Sequence, residues 1–156
     1  MRVYTVRMDN TAVTSNITLV QIKPGVSSIV LLRAKIGQNS DAATSAMQDV
    51  AIGCSTGAAT VTSATPRPHF PSSAAQAAYA VGGTSATGIN ASGEGSTQTD
   101  IKRDSFNLLT GFEWVPTPEE RIEVQGGGAQ YLYMRLPIAP GSSTTVNAEL
   151  TFGEIG

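Results

Sequence analysis

Only one of the 156 residues is cysteine and only one is histidine. With Cys54 alone, no disulfide can close within the chain and no cysteine cluster can hold a structural zinc. Nothing around it in the sequence supplies an activating base or helix N-terminus, so it reads as a small apolar strand residue. His69 has no carboxylate within ten residues on either side. Set between Pro68 and Phe70, it reads as a packed loop residue rather than a metal ligand. Charge is scarce too: Asp, Glu, Lys and Arg make up 14% of the chain, against roughly 25% in an average soluble domain. Much of the surface must then be Thr, Ser, Ala and Gly, residues that cost little side-chain entropy to order against a neighbour.

The small charge there is nearly balances, ten basic residues against twelve acidic for a formal −2. Neither nucleic acid nor an anionic membrane surface is expected as a partner. The adjacent pair Lys102-Arg103 lies between Asp100 and Asp104 and reads as a solvated strand or turn. No run approaches the roughly 18 apolar residues of a membrane span. Met1 to Arg7 lacks the unbroken apolar stretch of a signal peptide, so the expectation is a protein made in a cytoplasm that stays soluble. The sequons at Asn16 and Asn90 are set aside on the same ground.

Catalytic patterns are equally thin. Gly82-Gly83 and Gly126-Gly127-Gly128 lack the Gly-Lys-Ser/Thr ending of a phosphate loop and read as turns. Glu119-Glu120 follows Pro116-Thr117-Pro118 in a charged turn, and Asp100 with Asp104 forms no better pair for acid-base work. A Gly-x-Ser-x-Gly elbow is not expected and the serines fall in turn or low-complexity stretches, which gives a Ser-His-Asp arrangement no support. No residue set names a reaction, a metal or a cofactor, and the chain is read as not an enzyme.

What the sequence does contain is a series of short β-rich runs. Residues 3–8, 17–22, 28–37, 50–54, 59–62, 104–115, 131–136 and 145–152 carry alternating or β-branched patterns, broken by turn chemistry such as Lys23-Pro24-Gly25 and Ala139-Pro140-Gly141. In 28–37 the face bearing Val30, Leu32, Ala34 and Ile36 is expected inward. Leu132, Met134 and Leu136 are expected inward in the next-to-last run, and Val146, Ala148, Leu150 and Phe152 in the last. Phe106, Leu108, Phe112 and Trp114 share one parity across 104–115, which predicts an aromatic half of the core with Trp114 buried. Residues 50–54 and 59–62 suggest a hairpin over Ser55-Thr56-Gly57. Ala42 to Met47 is the one stretch that reads as a helical turn, on alanine content alone. Residues 66–95, rich in small residues and poor in large apolar ones, read as an extended loop or arm. Together these predict a single all-β domain over 1–156, an antiparallel β-sandwich or jelly roll of about eight strands.

Three stretches resemble small virion proteins of tailed bacteriophages: Val3-Tyr4-Thr5-Val6-Arg7, then Gly111-Phe112-Glu113-Trp114-Val115-Pro116-Thr117-Pro118-Glu119-Glu120-Arg121, then Leu150-Thr151-Phe152-Gly153-Glu154-Ile155-Gly156. The resemblance implies a capsid decoration or cement protein in the virion, non-enzymatic and without cofactor. It also implies binding to the major capsid protein or other virion proteins, and a homo-oligomer such as a trimer. An arm that orders on binding would be one lattice contact, and the interface residues expected are Phe70 and Tyr79 on that arm with Tyr131 and Tyr133 on an exposed strand face. A tail, collar or head-fibre protein is the first alternative. The second is a carbohydrate-binding sandwich stacking sugars on Trp114, Tyr131 and Tyr133.

Overall fold

A computed structural model describes residues 1–39, 46–70 and 78–155. These build two antiparallel six-stranded sheets packed face to face as a β-sandwich. β1 (Val3–Val13) turns Tyr4, Val6 and Met8 inward, and β12 (Thr144–Ile155) turns inward the expected Val146, Ala148, Leu150 and Phe152. Between them lie β2 (Ile17–Ile22), β3 (Ser28–Gln38), β4 (Met47–Ser55), β5 (Thr60–Ser63), β6 (Arg67–Pro68), β7 (Gly88–Gly93), β8 (Gln98–Asn107), β9 (Phe112–Trp114), β10 (Glu123–Val124) and β11 (Tyr131–Leu136). The first sheet runs β10-β3-β12-β1-β6 with β9 also on β3, and the second runs β5-β7-β2-β11-β4-β8.

Single extra residues in the ladders reset which side chains meet the core. On β1 the register with β12 slips between Met8 and Thr11. Asn10 takes a positive φ of 46° there, a conformation asparagine tolerates better than most residues, and its N–H donates to Asn147 Oδ1 at 2.8 Å. On β3 the slip falls at Leu32. The inward residues are therefore Ile29 and Leu31 before the bulge and Ala34 and Ile36 after it, so the expected face was right only for its second half.

Several local expectations are corrected by long-range pairing. β4 and β5 do not form a hairpin: β4 pairs β11 and β8, while β5 pairs β7. The single run over 104–115 is two strands in opposite sheets, since β8 pairs β4 and β9 pairs β3. The chain crosses between them through a turn in which Thr110 and Gly111 both donate to the Asn107 carbonyl, and Gly111 has a positive φ of 73°. Phe106 and Leu108 are buried, whereas Phe112 and Trp114 are only half-buried against the core. The helical turn expected at 42–47 lies mostly outside the described residues, and Met47 itself opens β4.

Within the segment read as an arm, residues 71–77 also lie outside the described residues, but 78–95 are integral to the sandwich. Ala78 and Tyr79 are buried in the main core. The Tyr79 ring meets Tyr4 edge-on with centroids 5.3 Å apart and Phe152 at 6.4 Å, an arrangement ring quadrupoles favour. Residues 84–87 then fold over the outer side of the second sheet. There Gln21, almost fully buried, donates from Nε2 to the Ala86 carbonyl at 2.8 Å and accepts the Ala59 N–H at 2.7 Å. That side chain meets both halves of its hydrogen-bonding need, which is what burial of an amide requires.

Candidate functional site

The second sheet carries a polar network on the side away from the core. One extra residue, Ile101, interrupts the β4–β8 ladder, where Ile52 faces Lys102 and Gly53 faces Asp100. The bulge turns Asp100 toward β11. Its Oδ1 accepts the Tyr133 hydroxyl at 2.7 Å and Arg135 Nε at 3.2 Å, and its Oδ2 accepts Arg135 Nη2 at 3.0 Å. Burial raises the Asp100 pKa, yet the hydrogen bonds from Arg135 and Tyr133 outweigh it and hold the carboxyl below its ordinary range. Burial first, then the bond to Asp100, pushes the Tyr133 phenol upward. Gly53 makes the approach possible, because a Cβ there would fall 2.0 Å from the Thr99 carbonyl oxygen and 2.9 Å from the Tyr133 hydroxyl. Two further links extend the network. Asp49 accepts Ser105 Oγ at 2.6 Å and Arg103 at 3.1 Å, and these bonds lower its pKa. Glu94 binds the Thr18 hydroxyl at 2.8 Å and Gln98 at 2.8 Å.

At the lateral edge of the sandwich, β8 stands beside β9 and β10 of the facing sheet. Between them runs a groove of about 460 Å³. Ile101, 56% exposed, and half-buried Trp114 form its apolar floor. Lys102 lies 6.0 Å above the Trp114 ring centroid with its amine 3.5 Å from Asp104, so its aliphatic stem walls the groove. Glu119, Glu120 and Glu123 rim it, with Arg121 among them. The rim is held by a short 3-10 turn over Pro118–Glu120, in which Glu120 reaches back to the Thr117 N–H and hydroxyl at 3.4 and 3.2 Å. Outside β4, β8 pairs with no other strand among the described residues, and the Lys102-Arg103-Asp104 run with the bulge is the kind of device that discourages indiscriminate edge pairing.

The expected interface residues do not come together. Phe70 is 64% exposed just past β6, at the opposite lateral edge. Tyr79 is in the core. Tyr131 and Tyr133 are buried, not outward on an open face, because the outer side of their sheet is covered: Lys23 lies over the Tyr131 ring at 5.8 Å, and Asp100 and Arg135 close over Tyr133. Trp114 sits apart from both in the edge groove, so the three rings form no shared stacking face. His69 donates to or accepts from the Thr5 hydroxyl at 2.8 Å.

One catalytic spacing expected to be absent is present. Gly53-Cys54-Ser55-Thr56-Gly57 has the Gly-x-Ser-x-Gly spacing of a nucleophile elbow. Its structural context is wrong for that role. Ser55 ends β4 in a bend with no helix after it, its hydroxyl is buried and donates to the Gly57 carbonyl at 3.0 Å, and His69 belongs to the other sheet. Cys54, beside it, has its thiol pKa raised by burial. Among the described residues no three or more His, Cys, Asp or Glu side chains gather as a metal site would need, and no helix is long and apolar enough to cross a membrane.

No family model and no curated protein matches the chain. Among solved structures, it aligns with a mutant VP2 protein of infectious bursal disease virus in derived T=1 particles. The alignment covers 99% of this chain and 40% of that one at 14% identity, with a TM-score of 0.23. A likeness that low carries no argument about fold or function.

Proposed function

We propose that the chain is a non-enzymatic structural protein of a tailed-phage virion, and within it a decoration or cement protein bound to the major capsid lattice. The observation that carries this reading is how the surface is divided. Large apolar side chains, among them Phe70, Leu109, Val115 and Ile138, stand exposed on the sandwich. Three carboxylates of the sheets, Asp49, Asp100 and Glu149, are instead tied to partners within them. Exposed side chains of this size are available for contact with neighbours. The likeness of its end and middle stretches to small phage virion proteins points the same way. A protein that binds the assembled lattice and not free subunits stabilises the assembled state by mass action.

Quantitative mass spectrometry of purified particles encoding the chain tests this. Copy numbers in the hundreds are expected of a lattice protein. Tens or fewer would move the chain to the tail, collar or a head fibre, and absence from particles would overturn the virion reading. A glycan-stacking role has no comparable support, since its three rings are split between a covered sheet face and an edge groove.

A further inference from the structure

Two features at opposite edges of the sandwich complement each other. On one edge, β6 pairs with β1 through only Tyr4↔Pro68 and Thr5↔Arg67. It presents an exposed Arg67, with no ion-pair partner among the described residues, and the exposed ring of Phe70. On the other edge lies the groove floored by Ile101 and Trp114, rimmed by Glu119 and Glu123, which also have no ion-pair partner among the described residues. Four strand spacings separate β6 from β9 in the first sheet, on the order of 19 Å at about 4.8 Å each. The two features therefore cannot satisfy each other within one molecule, but a second copy brings them together.

We propose that copies of this chain associate edge to edge, with Phe70 of one copy seated on the Ile101–Trp114 floor of the next and Arg67 set against Glu119 and Glu123. The groove is roomy enough for a phenyl ring beside the Lys102 stem. The pairing matches an aromatic anchor with an apolar pocket and a guanidinium with carboxylates, the combination in which interface energy concentrates. Because the two surfaces differ, the contact is heterologous: it closes into a ring if the rotation between copies permits, and otherwise runs on as a chain. This deepens the structural-protein reading, which calls for a surface made for neighbours. It is measured on the pure protein, so its failure would leave lattice binding standing, and absence from particles would leave it standing.

The test is sedimentation equilibrium of the full chain with two variants at exposed positions, Phe70→Ser and Ile101→Glu, each first checked for wild-type circular dichroism. Wild type is expected to self-associate with rising concentration, and each variant to weaken association by about tenfold or more. Raising the salt from roughly 0.05 to 0.5 M should weaken the wild-type contact as its charges are screened. The decisive arm mixes the variants. Phe70→Ser keeps an intact groove and Ile101→Glu keeps an intact Phe70, so the mixture should form dimers that grow no further. A wild type that stays monomeric, association unchanged in both variants, or a mixture that stays monomeric would each overturn the proposal.

Discussion

Replacing Asp100 with alanine removes the acceptor on which Tyr133 and Arg135 converge. The Asp100 and Arg135 side chains are 21% and 20% exposed, so their pairing lies between two regimes. Exposed ion pairs contribute about 0.2–1 kcal/mol, and breaking a buried one costs about 3–5 kcal/mol. The Tyr133 hydroxyl, buried under the pair, also loses its acceptor, at about 1–3 kcal/mol. Because water reaches the exposed fifth of the site, the expected loss is about 2–3 kcal/mol, which for a chain of this size lowers Tm by roughly 4–12 °C. The effect should depend on pH with a definite sign. The folded Asp100 pKa lies below its ordinary value, so its contribution is complete above the unfolded value of about 3.9 and fades as pH falls through the lower folded value. Urea melts of wild type and Asp100→Ala should differ most at neutral pH. They should converge toward the lowest pH at which both still unfold cooperatively, with the paired Asp49 common to the two proteins. A neutral-pH difference under about 0.5 kcal/mol, or one that does not shrink in acid, would refute the account.

Gly53→Ala should cost more than about 3 kcal/mol in a urea titration, because the added Cβ would meet the Thr99 backbone and neither strand can retreat cheaply. Gly37→Ala, with nothing within 4 Å of its added Cβ, should stay within about 0.5 kcal/mol, and equal effects at both sites would remove close approach as the reason for Gly53. The Cys54 thiol, its pKa raised by burial, should react with a disulfide reagent at pH 8 at least about tenfold more slowly in the native protein than in urea. Reaction at the unfolded rate would show that the thiol is open.

The parts of this fold legible in the sequence are those in which one sheet face meets the core and the other meets solvent. Val146, Ala148, Leu150 and Phe152 follow that rule without interruption, and Leu132, Met134 and Leu136 also face inward in regular alternation although the other face of their strand is covered. Leu32 and Ile101 defeat it, since a bulge shifts parity by one residue and no local composition marks the place. Tyr131 and Tyr133 defeat it differently. Their alternation is regular, but the outward side of their sheet is itself covered, by Asp100 and Arg135 and by residues 84–87 reaching Gln21. The β4 and β5 runs carried a sound turn signal and still found other partners, because strand pairing here is decided between residues far apart in the chain. The groove was illegible for the same reason, being assembled from β8, β9 and the turn at 118–120, which belong to different sheets.

The pairing of β1 with β12 governs how the protein can be made. These strands lie side by side in the middle of their sheet, with partners such as Asn10 and Asn147 separated by 137 positions. Bringing such distant segments together costs about 2 kcal/mol more chain entropy than closing a ten-residue loop, and nothing returns that cost until β12 exists. On a ribosome, β1 must therefore wait for β12, held in its sheet until then only by the two-residue pairing of Tyr4 and Thr5 with β6. The second sheet draws its strands from residues 17 to 136 and can gather first. A stalled or truncated translation product ending before residue 144 would then display an unpaired, apolar β1 edge, the segment from which aggregation should start.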